Sequence, residues 1–202
     1  SNAQKLRDYY TSYMNRAARD AAGIKPLQPV LTRIAAIDSK AALIAAFANA
    51  AIDGSDAPLG LYVGTDRKDP DSYLVGLGVG GLGLPDRDYY LNPDARFVKI
   101  REAYVAHIQR MLGFAGVSEA DAKPRAEAIL ALETALAKPQ WDRVKLRDRD
   151  KTYNVVTFAQ LQQQYPGYDW AAQLRAQQMP QPVRLNISTP DVIGPVIDVI
   201  NA

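Results

Sequence analysis

Few residues of this chain could do chemistry, and their spacing limits the kinds available. There is no cysteine, which excludes disulfides, thiolate nucleophiles and cysteine-ligated zinc. His107 is the only histidine, whereas a catalytic zinc normally takes two or three with a carboxylate, so no self-contained metal site is expected. His107 flanks an apolar helical stripe and reads as a helix-face residue. Gly76-x-Gly78-x-Gly80-Gly81 follows a strand pattern, as a phosphate cradle would. A dinucleotide fingerprint, however, opens its helix inside the glycine run, and here Leu84-Pro85 intervenes, so the spacing favours close strand-to-loop packing. Asp86-Arg87-Asp88 sets two carboxylates about one guanidinium and suits a turn held by charge-assisted hydrogen bonds. Tyr89 and Tyr90 read as core aromatics whose hydroxyls find partners. Glu133 interrupts an apolar helix face, with Arg143, Arg147 and Arg149 as its expected counter-charge, and Trp141 and Trp170 read as packing anchors. No catalytic or metal-binding residue is assigned, and the substrate-binding residues stay unknown.

The composition frames these residues. With 202 residues, 48% hydrophobic and 23% charged, the chain suffices for one sizeable core or two small ones. Its 24 basic and 22 acidic residues are interspersed, leaving no stripe for nucleic acid or an anionic membrane. No run approaches the roughly 18 apolar residues of a membrane span, and no signal peptide is visible. Ser1-Asn2-Ala3 resembles the scar of a cleaved purification tag, so localisation is not readable from this N-terminus.

Helical patterns dominate. Leu6, Tyr9, Tyr10, Tyr13, Met14 and Ala17 recur at helical spacing from Gln4 to Ala22, with Gly23 as the stop. A short helix with Val30, Leu31, Ile34 and Ile37 follows Pro26 and Pro29, and Ser39 caps an alanine-rich helix from Lys40 to Ile52. Residues 61–65 and 72–79 read as a β-hairpin across the polar turn 66–71. In its second strand Leu74, Gly76 and Gly78 share one face, which invites the approach of another backbone. Asn92-Pro93 starts a helix to Leu112, and Ser118 caps another that Pro139 ends. A charged connector, 143–151, precedes short helices capped by Thr157 and Asp169. Residues 183–187 form a candidate strand, and Thr189-Pro190 opens a last helix, apolar nearly all round and expected to be buried by downstream chain or a second copy.

Two runs resemble a known family. Leu61-Tyr62-Val63-Gly64-Thr65-Asp66, followed by Gly81-Leu82-Gly83-Leu84-Pro85-Asp86-Arg87-Asp88-Tyr89-Tyr90, is similar to the N-terminal region of the neprilysin and endothelin-converting-enzyme zinc metallopeptidases. Supporting matches are the tyrosine-bearing first helix with Gly23, Leu132-Glu133, Arg147-Asp148 with Tyr153-Asn154, Asp169-Trp170, and the Pro190 helix start. The resemblance implies a mainly α fold: residues 4–182 as a helical lid lobe with a hairpin near 61–79, and residues 183–202 as a strand and helix leading to an absent downstream region. It further implies that this lobe encloses the chamber of a two-lobe peptidase that cleaves peptides and excludes folded proteins. The implied partners are the catalytic lobe of the same polypeptide and peptide substrates. The implied cofactor is zinc, held by a His-Glu-x-x-His helix and a later glutamate that this chain lacks. The fragment alone is expected to be inactive. Two departures stand out: Val79 occupies a position where the family tends to place glutamine, and the paired cysteines of animal members are missing, which suits a bacterial member. A periplasmic or secreted location follows from the family alone. The rival reading is a stand-alone helical interaction module, favoured if the natural reading frame stops at Ala202.

Overall fold

Capping side chains set most of the helix boundaries. The computed structural model describes residues 1–202, except that the side chains of Ala51, Ile52 and Asp53 lie outside the description. The chain divides into two compact units, Ser1–Ala36 and Ile37–Ala202.

In the first unit α1 spans Asn2–Met14, α2 Arg16–Ala22, a 3-10 turn Lys25–Leu27 and α3 Gln28–Ala35. The single helix expected from Gln4 to Ala22 is broken at Asn15. That residue leaves helical geometry at ψ 83°, and its side chain accepts the Ala18 N–H at 3.0 Å, capping a new helix. Of the tag-like residues, Asn2 and Ala3 lie in α1 and Ser1 caps its first turn by accepting the Gln4 N–H. Gly23 ends α2 at φ 51°, a value that favours glycine. The apolar stripe of α1 is solvent-exposed, Leu6 by 70% and Tyr9 by 71%.

The second unit begins with α4 (Lys40–Asp53), β1 (Leu59–Asp66), β2 (Asp69–Val79), α5 (Asp88–Leu91), α6 (Ala95–Phe114) and α7 (Glu119–Ala137). It continues with α8 (Arg143–Leu146), β3 (Val155–Thr157), α9 (Phe158–Gln164), α10 (Trp170–Ala176), β4 (Arg184–Ile187) and α11 (Pro190–Asn201). Ser39, Ser118, Thr157 and Asp169 each accept a backbone N–H as N-cap, as their positions predict. Pro124 is tolerated within α7 without shifting its start. α6 starts later than Asn92-Pro93 because Asp94, not Asn92, is the cap. The unforeseen α5 occupies part of what reads in sequence as a charged turn, and α8 interrupts the charged connector.

The four strands form one mixed sheet in the order β1-β2-β4-β3. β1 and β2 are antiparallel, β2 and β4 parallel, and β4 and β3 antiparallel. The hairpin turn is tighter than expected: Asp66 pairs with Asp69 across Arg67-Lys68, and the register then shifts by a bulge. β3 has only three residues, too few to show alternation.

One face of this sheet makes the core. Leu59, Leu61, Leu77, Leu185 and Ile187 pack with Val192, Ile193, Val196 and Ile197 of α11, joined by Leu136, Phe158, Leu161, Trp170 and Leu174. Asp191, Pro195, Asp198 and Asn201 form an exposed stripe of α11, contrary to the full burial expected from its apolar pattern, and the buried face carries Val192, Ile193, Val196 and Ile197; the expectation that downstream chain or a second copy must cover the helix is also wrong. The sheet, α7, α9 and α10 bury those four side chains to 4% exposure or less. Residues 183–202 therefore contribute a strand and the central helix to the core of the second unit.

Truncation in these two places should differ sharply. Ile193→Ala is expected to lower unfolding free energy by about 2–5 kcal/mol through the cavity it leaves. Tyr10→Ala, in the exposed stripe, should change it by no more than about 0.5 kcal/mol. Chemical denaturation of the two variants measures the contrast.

Candidate functional site

The most tightly specified geometry lies at the corner between β2 and α6. Glu133 on α7 accepts a hydrogen bond from the Tyr90 hydroxyl at 2.6 Å and one from the Tyr104 hydroxyl at 3.0 Å. The Tyr90 oxygen in turn accepts the Leu84 N–H at 2.8 Å. One carboxylate thus fastens the loop, α5, α6 and α7 together. The arginines expected to neutralise Glu133 lie elsewhere: Arg143 pairs with Asp86 at 2.5 Å, joining the corner to α8. Asp86 also accepts the Asp88 N–H at 2.8 Å, so this turn is held partly by local bonds and partly by a distant guanidinium.

Glycines at the corner admit neighbours that side chains would block. A Cβ on Gly83 would overlap the Tyr104 hydroxyl, and one on Gly80 would stand 2.9 Å from the Ala57 carbonyl. Gly81 has φ +77° with Pro58 against it. Backbone approach therefore occurs at Gly80 and Gly81. At Gly76, on the glycine face of β2, the visitor is instead the Tyr62 ring from the neighbouring strand, which a Cβ there would overlap. The run accommodates close protein neighbours.

Burial raises the Tyr90 hydroxyl's pKa far above the ordinary 10.0, reinforced by its bond to Glu133. The same two causes carry Tyr104 to about 12. Both hydroxyls stay protonated and act as donors at neutral pH, a role unlike that of a general base. Tyr89 packs edge-on against Phe97, and the carbonyls of Tyr89 and Asn92 accept from Arg101. His107 is exposed on α6. Trp170 is 1% exposed in the core, whereas Trp141 is half-buried and donates to Asp191. Val79 pairs with Leu59 at the end of β2 and packs against the core.

A cavity of about 440 Å³ opens on the glycine face of the sheet, beneath the segment from Leu146 to Tyr153. Asp66, 1% exposed, is among the residues that line it. It accepts the Lys68 N–H at 3.0 Å and the Tyr153 hydroxyl at 2.8 Å, and it pairs with Arg184 at 3.4 Å. Those contacts, led by the Lys68 N–H and opposed by desolvation, hold its pKa below the ordinary 3.8. Arg67 donates to the Thr152 carbonyl at 2.7 Å, fixing the hairpin turn to the same segment. Sequence reading missed this anchor because Asp66 and Tyr153 are 87 residues apart.

Among the described residues no group of three or more His, Asp or Glu side chains converges to hold a metal ion. The residues present do not fit a zinc site.

Substitutions at the corner and at the hairpin tip separate these contributions. Glu133→Ala leaves two phenols without their acceptor and should cost about 1–3 kcal/mol, while Gly83→Ala should displace Tyr104 and cost about 1–3 kcal/mol by overpacking. Denaturant titration, with tyrosine ultraviolet absorbance following Tyr90 and Tyr104, checks both. Because the Asp66 pKa is lowered on folding, its contribution is complete above 3.8 and lost as pH falls through the folded value. Asp66→Asn should therefore flatten part of the acid limb of melting temperature against pH.

The whole chain, residues 1–202, matches the family model described as Peptidase family M13, in its N-terminal part. Endothelin-converting enzyme 1 of Rattus norvegicus is 36% identical over 135 residues, which is 66% of this chain and 17% of that protein. The chain thus spans about a sixth of the length of the curated relatives it matches. The crystal structure of Mycobacterium tuberculosis zinc metalloprotease Zmp1 in complex with inhibitor superimposes with a TM-score of 0.87 at 36% identity, over 100% of this chain and 30% of that one. Zmp1 in its open state gives 0.86 at 36% identity over 99% of this chain and 31% of that one. The motif run, the helical fold with its small sheet and the whole-chain match agree, and the chain belongs to peptidase family M13, as an N-terminal region of the neprilysin and endothelin-converting-enzyme type.

Proposed function

We propose that this chain is part of the helical lid lobe of a zinc metalloendopeptidase, and that it encloses the chamber in which peptides are cleaved and so limits substrate size. The observation that carries this reading is the match to the family's N-terminal region across all 202 residues, together with a fold that offers no metal-holding cluster among its described residues. Zmp1 has been seen in open and partially open states, which supports a lobe that closes over a site held elsewhere. The corner is suited to such a lobe, because a carboxylate shared by two phenols ties three helices to one loop and gives a wall that resists deformation.

In this reading the catalytic lobe of the same polypeptide supplies zinc, its ligands and the base, and this chain supplies no catalytic residue. The parent is exported to the periplasm or secreted. Among the described residues no helix is long and apolar enough to cross a membrane.

Zinc analysis and a peptide-cleavage assay on the 202-residue chain test the assignment. Substoichiometric zinc and no turnover are expected; stoichiometric zinc with turnover would overturn it. In the parent enzyme, Glu133→Ala should raise cleavage of long substrates relative to short ones, whereas unchanged size preference would count against a wall-forming role.

A further inference from the structure

We propose that the outer edge of β1, at Val63 and Thr65, is a strand-addition site for a short extended peptide. This goes beyond enclosure: the lobe would hold peptide main chain as well as confine it.

Strand β1 is terminal in the sheet, so one side of it faces away from β2. Alternation sets which residues point there. The Pro58 carbonyl accepts from Gly80, towards β2, while the carbonyls of Leu59 and Leu61 accept from Gln173 and Gln177, on the other side. In an antiparallel pair this parity continues, so Val63 and Thr65 also direct their N–H and C=O groups outward. Among the described residues these four groups have no hydrogen-bond partner outside the β1–β2 ladder, and both side chains are exposed, Val63 by 58%.

The closed and open halves of the edge explain each other. Gln173 and Gln177 stand four apart on α10 and its C-cap, a rise of about 6 Å, close to the roughly 6.8 Å between alternate residues of a strand. Their carboxamides thus substitute for the main chain of a missing neighbour, and the substitution stops at Leu61. The bonds are long, 3.4 and 3.5 Å, and both glutamine oxygens are buried without a partner among the described residues, so the second contact is one an incoming strand can displace.

The open half lacks the usual protection. Edges are commonly blunted by lysine, proline or a bulge within the strand. Leu61-Tyr62-Val63-Gly64-Thr65 has no charge and no proline, and the bulge comes only after Thr65, marking the end of the site. Val63, 58% exposed, offers an added strand apolar contact on one face, while the Tyr62 ring on the other face leans away from the edge, over Gly76 of β2. Two outward positions span too little for a specific dimer, which buries at least about 1,200 Å². A short extended peptide fits; a second copy does not.

The test uses the intact, isotopically labelled chain and a doubly capped Thr-Val-Thr-Val-Thr peptide, beside a twin N-methylated on alternate residues. Saturable amide shifts and slowed hydrogen exchange at Val63 and Thr65 are expected. The N-methylated twin should bind about fivefold weaker per lost bond. Val63→Pro removes an outward N–H without touching the β1–β2 ladder and should weaken the capped peptide similarly; the N-methylated twin keeps the test intact if that variant fails to fold. Absence of saturable shifts, equal binding of the twin, shifts centred on the glycine-face cavity, or the same shifts from self-association would each overturn the proposal. None of these outcomes depends on zinc or turnover, so the enclosing-lobe reading stands or falls separately.

Discussion

The architecture depends on where one negative charge is placed. Glu133 sits on a helix face that is otherwise largely apolar, half-buried, and no cation neutralises it among the described residues. Two phenols satisfy it instead: each donates to one carboxylate oxygen, and the nearer bond, 2.6 Å, has the length of a charge-assisted contact. A tyrosine donor brings an aromatic body as well as a hydroxyl, so the groups that satisfy the charge also fill the space around it. An arginine would satisfy the carboxylate but would not bring the same packing. The requirement propagates outward. Tyr104 can reach Glu133 only if position 83 has no side chain, and Tyr90 is held because its oxygen also takes the Leu84 N–H.

The sheet solves a related problem on both faces. Its apolar face packs against the buried side of α11, and parallel pairing of β2 with β4 brings the residues just before α11 directly beside the hairpin. Its other face is paved with glycine, and Tyr62 lies across the paving. Asp66 then secures the hairpin tip to the segment ending at Tyr153, through contacts to a backbone N–H, a phenol and a guanidinium. Both carboxylates of structural weight, Glu133 and Asp66, are satisfied mainly by groups other than lysine. Desolvated charge is kept where hydrogen-bond geometry, more than net charge, fixes the neighbours.

What is legible in the sequence is local. Ser39, Ser118, Thr157 and Asp169 cap helices because an N-cap needs only a side chain and an N–H two or three residues away. Gly23, Pro139 and the hairpin belong to the same class. What escapes sequence reading is competitive or distant. Asn15 lies within a good helical period, yet its capping ability outweighs propensity and divides the helix. Sequence pairs Glu133 with the nearest basic cluster, because it gives charge but not reach, and the true partners lie 43 and 29 residues before it. The last helix reads as lacking a cover because β1, β2 and α7, which pack with it alongside the adjoining β4, precede it in the chain by long intervals.

The family resemblance is legible for a different reason. Its most specific run joins residues whose identities are fixed by unrelated neighbours: Gly81 by Pro58 and a positive φ, Gly83 by Tyr104, Asp86 by Arg143 and the Asp88 N–H, Tyr90 by Glu133 and Leu84. Substituting any one of them leaves a partner unpaired or displaced. Leu132-Glu133, a separate match more than forty residues on, supplies the acceptor for that run. Two distant stretches therefore resemble the family together because they form one contact. A motif of this kind carries information about packing, which is why the chain can be placed in a peptidase family although its described residues hold no metal cluster.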